Sequence, residues 1–482
     1  MFPSWKTWRI CILTGVFSLK TYGALENEAK RLCFLSGKRY IPLSFPLITY
    51  NLKLETQMNE VYISGAGCIS AAGDGWRESA AGLYADAGVV PFPPSERIGS
   101  TLATPVFELT EFDPGNESKS MAFLHHALKE ALDSAGLAAG VLRGKNVCVS
   151  IGTTVSCQLN NIPFYGKLRS GTVDSWEPLR NFFTSNPSER IRREYGLAGS
   201  ALTVSNACVS GADAIALAYL NVASGACELA IAGGVDELNR VPIAGFNALG
   251  VASPEPCRPF DKKRRGLNLG EGAGVVILES GASLEKRKRR AEFVLEGVGC
   301  AGDAYHITAP HPEGRGLERA VMTALRLAGL SASDIAFVNA HGTGTENNDL
   351  CESALLSRVF GRGVRYLSTK GRTGHTLAAA GALELIFTLI MLALGLATGS
   401  IAGVVNLMGA MPANPAVKAV VLAVVFCVGH AVNLAINLLG AYVHTNRLQF
   451  VELFSKFYEG GGRAFAPFAA PQGYTHIEEE TK

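Results

Sequence analysis

Apolar residues along positions 58–386 fall into short runs separated by longer helix-like stretches. Runs that end in glycine, as buried strands do, lie at Val147–Ile151, Leu229–Gly234 and Gly274–Glu279. Helix-like stretches lie at Met121–Ala135, Ala212–Ala223 and Gly316–Ala328, and another strand is predicted at Ile335–Asn339. This alternation, with about 30 residues in each unit, predicts a layered α/β fold built from strand–helix–strand units.

Two long apolar runs follow this region. Residues 385–417 contain no charged side chain, and a second apolar run continues from Ala419 to Val443. Each is longer than the roughly 20 residues that a membrane helix needs. Gly395, Gly399 and Gly403 have the spacing of closely packed membrane helices. Buried helices of a soluble core are the alternative, but two such runs in succession favour two transmembrane helices.

The first 57 residues fit neither pattern. Ile10–Leu19 is a short apolar stretch that follows Lys6 and Arg9, as in a signal peptide, but no small-residue cleavage site follows it. At about 10 residues it is also too short to span a bilayer. Met58 leads into a strand and a glycine turn. The sequence therefore predicts that residues 1–57 are an unassigned extension and that Met58 is the true start.

The overall charge gives no case for nucleic acid, because the net charge is only +2. The 11 cysteines include no Cys-x-x-Cys pair and no metal-ligand spacing. They indicate reduced thiols of a cytoplasmic protein, with neither a disulfide framework nor a metal site.

Cys208 is the best candidate for a nucleophile. It follows the strand-like Ala201–Ser205 and precedes a helix-like stretch that begins at Gly211. A sharp strand–turn–helix junction holds a nucleophile clear of the backbone, and a helix N-terminus favours thiolate over thiol. Cys148 and Cys227 have strand-like apolar surroundings and are interpreted as structural.

Two histidines lie in glycine-rich settings further along the chain. His341 follows a predicted strand and opens a Gly-Thr-Gly-Thr loop, where glycine lets the backbone pass close to a ligand. His375 follows Lys370 and precedes an alanine-rich helix. Each could be only a capping residue, but the two settings together favour a paired imidazole site.

These motifs resemble those of β-ketoacyl-acyl-carrier-protein synthases over residues 58–386. The matching stretches are Asn206–Gly211, Ala232–Val235, Arg258–Asp261, Gly270–Gly274, Asp303–Thr308, His341–Thr345 and Ser368–Glu384. The resemblance implies a thiolase-like fold of two similar halves, here residues 58–290 and 291–386. It also implies a homodimer and an acyl carrier protein as partner.

The resemblance also implies roles for particular residues. Cys208 would carry the acyl group as a thioester, while His341 and His375 would bind the malonyl thioester carbonyl and favour decarboxylation. Lys370 and Glu384 would support the second histidine, and Thr308 and Thr343 would line the channel for phosphopantetheine. No metal or diffusible cofactor is implied, because the substrates are carried on phosphopantetheine.

The resemblance stops before a final strand hairpin with a Gly-Phe-Gly-Gly turn, which the sequence lacks. In the family a backbone N–H of that turn completes the oxyanion hole, and losing one such donor costs about 10²–10³ in rate. The loss also predicts an unpaired edge in the second sheet.

Residues 391–468 instead resemble the end of membrane subunit I (subunit a) of V-type and A-type ATPases. The matching stretches are Leu392–Gly399, Gly429–Asn433, Gly440–Gln449 and Lys456–Gly462. Arg447 matches an arginine that faces the proton-carrying rotor ring in that family. The sequence therefore predicts a chimera joined near Leu385–Met391, with residues 387–482 as two membrane helices and a tail. A condensing enzyme with impaired activity is the main functional prediction, and a fragment of the proton-translocating subunit is the alternative.

Overall fold

The computed structural model describes residues 58–85, 88–98, 100–115, 117–154, 162–176, 186–306 and 309–394, and the backbone of three strands before residue 58. The chain forms two compact units, Met1–Leu83 with Val89–Thr388 and Tyr84–Gly88 with Leu389–Lys482. All strands and all residues of the candidate site lie in the first unit.

The twelve described strands form one sheet. They are β1 (Trp8–Leu13), β2 (Ser18–Leu19), β3 (Lys30–Phe34), β4 (Val61–Ser70), β5 (Gly73–Asp74), β6 (Val147–Gly152), β7 (Ala201–Val204), β8 (Leu229–Asp236), β9 (Gly272–Ser280), β10 (Phe293–Gly299), β11 (Phe337–Asn339) and β12 (Arg365–Leu367).

Helices cover this sheet. The described helices are α1 (Gly75–Tyr84), α2 (Lys119–Ala135), α3 (Ala139–Leu142), α4 (Ile162–Ser170), α5 (Pro187–Glu194), α6 (Ser210–Ala223), α7 (Arg240–Ala248), α8 (Gly281–Lys286), α9 (Arg315–Leu327), α10 (Glu346–Phe360), α11 (Lys370–Thr373) and α12 (Leu377–Leu394). The first turn of α12, Leu377–Ala379, is a 3₁₀ turn.

The strand order divides the sheet into two halves. The first half-sheet has the order β7-β6-β8-β9-β4, and the second half-sheet has the order β12-β11-β3-β1-β10. The halves join where β4 and β10 pair antiparallel. Each half-sheet thus has five strands, and the second half includes strands from before residue 58, outside the predicted halves 58–290 and 291–386.

Each half-sheet has its own apolar core. Every residue of β8 and β9 is buried, and α2 and α6 both contact these strands, which explains their nearly continuous apolar sequence. In the second half, Val338 of β11 packs in a cluster with residues of α9 and α10 such as Val321 and Leu355. The predicted strands and helices of residues 121–339 are therefore confirmed as elements, although β11 is shorter than expected.

Residues before Met58 contribute to the sheet, which differs from the expectation of an extension outside the fold. The backbones of β1 and β3 lie between β10 and β11, where the sequence had predicted an unpaired edge. A strand ladder is formed by backbone N–H and C=O groups, so any extended segment of suitable propensity can fill such a position. Valine, isoleucine and aromatic residues favour strands, and β1 has the sequence Trp-Arg-Ile-Cys-Ile-Leu.

The start of the first predicted membrane run belongs to α12. This helix is the one described segment long and apolar enough to cross a bilayer, and 83% of it is buried inside the protein. A core helix passes the same test of length and hydropathy. Within the described residues, the predicted membrane segment thus begins as a buried helix that also carries Glu384. The second predicted membrane helix and the tail, including Arg447, lie outside the described residues.

Candidate active site

Cys208 occupies a tight turn between β7 and α6. The preceding residue, Ala207, has a left-handed backbone with φ of 48°. The Ser210 hydroxyl fastens this turn, because it donates to the Ala207 carbonyl (2.6 Å) and accepts from the Asn206 N–H (2.7 Å). The half-buried Cys208 therefore stands at the N-terminus of α6, where the helix dipole favours a thiolate.

Close backbone packing behind the cysteine depends on glycine. A Cβ atom at Gly211 would lie 2.4 Å from the carbonyl oxygen of Ala378 in α12 and 3.3 Å from the Cα of Gly234 in β8. Only glycine permits this approach, which brings the cysteine helix of the first half against a helix of the second half.

His341 is held by a buried carboxylate that sequence reasoning missed. The backbone N–H groups of His341 and Gly342 each donate to Glu352 of α10 at 2.8 Å. Burial raises the pKa of Glu352 to about 7, although both backbone hydrogen bonds oppose that shift. In the sequence, Glu352 reads as an ordinary residue of a polar helix, so no signal distinguished it.

Lys370 connects His341 to Glu384 inside the protein. Its Nζ lies 3.1 Å from His341 Nδ1, donates to the His341 carbonyl oxygen (2.6 Å) and forms an ion pair with Glu384. An ammonium can only donate, so Nδ1 of His341 is the acceptor and the ring proton lies on Nε2. Burial raises the pKa of Glu384 to about 7, and the charge of Lys370 opposes that rise.

His375 is buried and neutral. Burial, together with the charge of Lys370, holds the pKa of His375 well below its usual value. Its Nδ1 accepts a hydrogen bond from the Leu377 N–H (3.2 Å), so the proton of this ring also lies on Nε2. Leu377 has a left-handed backbone with φ of 52°.

The thiol and the two imidazoles converge. The Sγ of Cys208 and the ring nitrogens of His341 and His375 lie within 4.8 Å of one another. The two rings meet edge to face, with centroids 5.1 Å apart. The arrangement offers one nucleophile and two neutral N–H donors, which together can stabilise a negative oxygen in a water-poor setting.

The same three groups are also those that transition metals prefer. Among the described residues, they are the only cluster of this kind. The ammonium of Lys370 beside His341 opposes a second cation there. Nucleophile and hydrogen-bond donors therefore fit the surroundings better than metal ligands.

The other predicted site residues have different placements. Lys370 and Glu384 lie beside the histidines as described above. Thr343 is buried, and its hydroxyl is 2.8 Å from that of Thr345. Thr308 and Arg447 lie outside the described residues.

Comparison with known proteins gives two family matches that are adjacent along the chain. The sequence model of the β-ketoacyl synthase N-terminal domain matches residues 58–283, and that of the C-terminal domain matches residues 293–403. The second match extends beyond the join predicted near Leu385–Met391. Neither match, nor any relative named below, is an ATPase subunit.

Individual relatives agree with these matches. The 3-oxoacyl-[acyl-carrier-protein] synthase 2 of Staphylococcus aureus is 38% identical over 208 residues, which are 41% of this chain and 52% of the relative. The chain thus spans about half the length of these curated relatives.

Solved structures cover more of the chain. A β-ketoacyl synthase from Burkholderia phymatum STM815 is 32% identical with a TM-score of 0.63, over 69% of this chain and 86% of that one. A ketosynthase described as complexed with its type II PKS acyl-carrier protein and bound to the hexaketide (AntDE:AntF) is 27% identical with a TM-score of 0.64, over 70% of this chain and 86% of that one.

Proposed function

Because the chain belongs to the β-ketoacyl synthase family, we propose that it is an acyltransferase that performs a decarboxylative Claisen condensation. The acyl group would be carried on Cys208, and the second substrate would be a malonyl thioester. The observation that carries the proposal is the convergence of Cys208 Sγ with the ring nitrogens of His341 and His375 within 4.8 Å.

In the first step, the Cys208 thiolate attacks the carbonyl carbon of an acyl thioester. The carrier thiolate is the leaving group and takes up a proton. The thioester to the carrier is thus replaced by a thioester to Cys208. The N-terminus of α6 supports this step because its partial positive charge stabilises the attacking thiolate.

In the second step, the malonyl thioester loses carbon dioxide. The electrons of the broken carbon–carbon bond move into the thioester, which becomes an enolate. The Nε2–H groups of His341 and His375 donate to the enolate oxygen, and donors that are already oriented toward such charge are usually the largest catalytic term. The hydrogen bonds at both Nδ1 atoms support this assignment.

In the third step, the enolate carbon attacks the acyl-Cys208 carbonyl. The tetrahedral intermediate collapses, Cys208 leaves as a thiolate, and the β-ketoacyl thioester forms on the carrier. Lys370 would support the second and third steps, because burial and, after it, the charge of Lys370 hold the pKa of His375 low and keep that ring a neutral donor.

The substrates would arrive on the phosphopantetheine of an acyl carrier protein. The related ketosynthase in complex with its type II PKS acyl-carrier protein supports this partner class. A homodimer, the absence of a metal or diffusible cofactor, a cytoplasmic location, and roles for Thr308 and Thr343 in the pantetheine channel remain proposals from the resemblance.

The alternative, a fragment of a proton-translocating subunit that uses Arg447, rests on residues outside the described ones. The family matches and relatives named above give it no support. It therefore stays a prediction from the sequence alone.

The test is to incubate the purified full chain with acyl and malonyl carrier proteins and to measure the condensation product and carbon dioxide. We expect product from the wild type and none from Cys208→Ala. The control is Cys227→Ala, which removes a buried thiol outside the site and should leave product formation in place. A wild-type chain that neither accepts an acyl group on Cys208 nor releases carbon dioxide would refute the proposal.

A further inference from the structure

Asp236 is a buried carboxylate at the end of β8 that the proposed mechanism does not use. Its side chain is fully enclosed, and both of its oxygens accept hydrogen bonds. The donors come from the two segments on either side of the candidate site, the loop after β6 and the first turn of α12.

On one side, Asp236 holds the loop after β6. The Thr153 hydroxyl donates to Oδ1 at 2.9 Å, and the Thr154 N–H lies 3.0 Å from both carboxylate oxygens. The Thr154 hydroxyl in turn lies 3.4 Å from the carbonyl of Ala207, the strained residue just before Cys208. Because this contact is long, the link from Asp236 to Ala207 is weaker than the link to α12 described next.

On the other side, Asp236 holds the start of α12. The Ala378 N–H donates to Oδ2 at 2.8 Å. The residue before it, Leu377, has the left-handed backbone that a leucine rarely adopts, and such a conformation persists only where neighbouring contacts enforce it. The Leu377 N–H is the group that donates to His375 Nδ1.

We propose that Asp236 is a positioning residue that fixes the tautomer of His375. By holding Ala378, it keeps the strained turn at Leu377 and so aims the Leu377 N–H at Nδ1 of the ring. The proton of His375 is then confined to Nε2, where it can donate to an enolate oxygen. The inference rests on the proposed function, since it assigns a purpose to that Nε2–H group.

Without Asp236, the Ala378 N–H loses its acceptor, and Leu377 is free to relax toward an ordinary backbone conformation. The neutral ring would then populate both tautomers, and molecules with the proton on Nδ1 would lack one of the two donors. Because only molecules with the proton on Nε2 keep both donors, malonyl decarboxylation should fall in proportion to that fraction, about twofold for an even mixture.

Two variants distinguish the effect of the Ala378–Asp236 hydrogen bond from the effect of the negative charge of Asp236. Asp236→Ala removes every acceptor, whereas Asp236→Asn can keep an oxygen facing Ala378 while the Thr153 hydroxyl rotates to accept from the amide. We expect the alanine variant to lose the tautomer and the asparagine variant to retain it. Glu237→Ala is the matched control, because it removes the neighbouring buried carboxylate, whose hydrogen bond is to the Ser120 N–H.

The primary measurement is the tautomer itself, by ¹⁵N NMR of histidine-labelled full-length protein, with the His375 signals assigned by their loss in His375→Gln. The wild type, Asp236→Asn and Glu237→Ala should give the Nε2–H pattern, and Asp236→Ala a mixture. Decarboxylation should fall in Asp236→Ala in proportion to the Nε2–H fraction that the NMR spectrum gives, about twofold for an even mixture. Acylation of Cys208 depends only on the weaker contact through Thr154 and should fall less.

An unchanged His375 tautomer in folded Asp236→Ala would overturn the inference, as would an equal change in Glu237→Ala. Loss of the tautomer in Asp236→Asn would also overturn it, because the negative charge and not the hydrogen bond would then be responsible. If the wild type is inactive in both half-reactions, the proposed function fails, and the NMR comparison still reports on Asp236.

Discussion

The two half-sheets each have five strands but obtain those strands differently. All strands of the first half-sheet come from residues 61–280, in the order β7-β6-β8-β9-β4. The second half-sheet takes β10, β11 and β12 from residues 293–367, and two of its three inner positions hold β1 and β3 from the start of the chain. Strand directions differ as well, since β8, β9 and β4 alternate whereas β3, β1 and β10 run parallel.

The different origin of the strands distinguishes those that position the candidate site from those that only complete the sheet. Cys208 follows β7 and His375 follows β12, which are the outer strands of the two orders, and His341 follows β11. None of the three residues follows β1 or β3. The candidate site therefore needs these two strands only as backbones that complete the ladder.

The largest expected effect on stability comes from removing β1 and β3, the two strands from the start of the chain. A chain that starts at Met58 lacks β1 and β3, so β10 and β11 lose neighbours on one side. We expect the amides of β10 and β11 to lose at least about 100-fold in hydrogen-exchange protection, equivalent to about 3 kcal/mol of local stability. Amides of β6 and β8 are the internal reference and should stay protected. Equal protection of both half-sheets in the truncated chain would break the comparison.

The contact between the halves is the next target. Gly211→Val places a branched side chain against the Ala378 carbonyl, which lies 2.4 Å from the position of a Cβ. We expect a loss of at least about 3 kcal/mol in the free energy of unfolding, measured by chemical denaturation. Gly245→Ala in α7 is the matched control, because nothing lies within 4 Å of its Cβ position. That variant should be neutral or stabilised by about 0.5–1 kcal/mol.

The buried carboxyl of Glu352 should make the stability of the second half depend on pH. The pKa of Glu352 is raised from 4.5 to about 7, so the folded protein favours the protonated form. Its contribution to stability is therefore fully present below pH 4.5 and is lost as pH rises through about 7. Relative to Glu352→Gln, the wild type should lose at most about 3 kcal/mol over this window, since one pKa unit corresponds to 1.36 kcal/mol.

Urea denaturation of both proteins at pH 5 and pH 8 measures this difference. Glu384 also titrates near pH 7 and is present in both proteins, so its effect cancels except for the part that the charge of Glu352 adds to its pKa. A stability difference that is the same at both pH values would contradict the prediction.

The smallest effect is expected from a crosslink that reports strand register. Ile10 of β1 is the register partner of Leu295 of β10. A chain with Ile10→Cys and Leu295→Cys should form a disulfide under mild oxidation, which peptide mapping would detect, with little change in activity. Arg9→Cys with Gly299→Cys is the off-register control, because Gly299 pairs with Leu13. Equal crosslinking of both pairs would show that β1 does not hold this register.

Much of the fold and site could be predicted from local sequence. Continuous apolar runs identified β6, β8 and β9, and the small residues around Cys208 identified the turn before α6. The histidines were identified by their glycine-rich surroundings, and Lys370 by the resemblance to the synthase family. Each of these signals lies within about ten residues of the group it predicts.

The remaining features depend on contacts between distant segments. Asp236 closes the recognised Ala-Gly-Gly-Val motif, but its importance comes from Ala378, 142 residues away. The pairing of β1 with β10 joins segments that sequence reasoning had assigned to different parts of the chain. Residues 385–394 were interpreted by their hydropathy alone, and hydropathy does not distinguish a protein interior from a lipid interior.

The apolar helix α12 also has a consequence for biosynthesis. The helix is long and apolar enough to cross a bilayer, so an exposed copy would be a substrate for membrane insertion and for chaperones. Translation is vectorial, and the strands and helices up to residue 376 leave the ribosome before this helix does. A cavity that is already folded can therefore receive the helix as it emerges. Docking of α12 competes with its insertion into a membrane. Because α12 is translated after the segments that bury it, the order of segments in the gene favours docking.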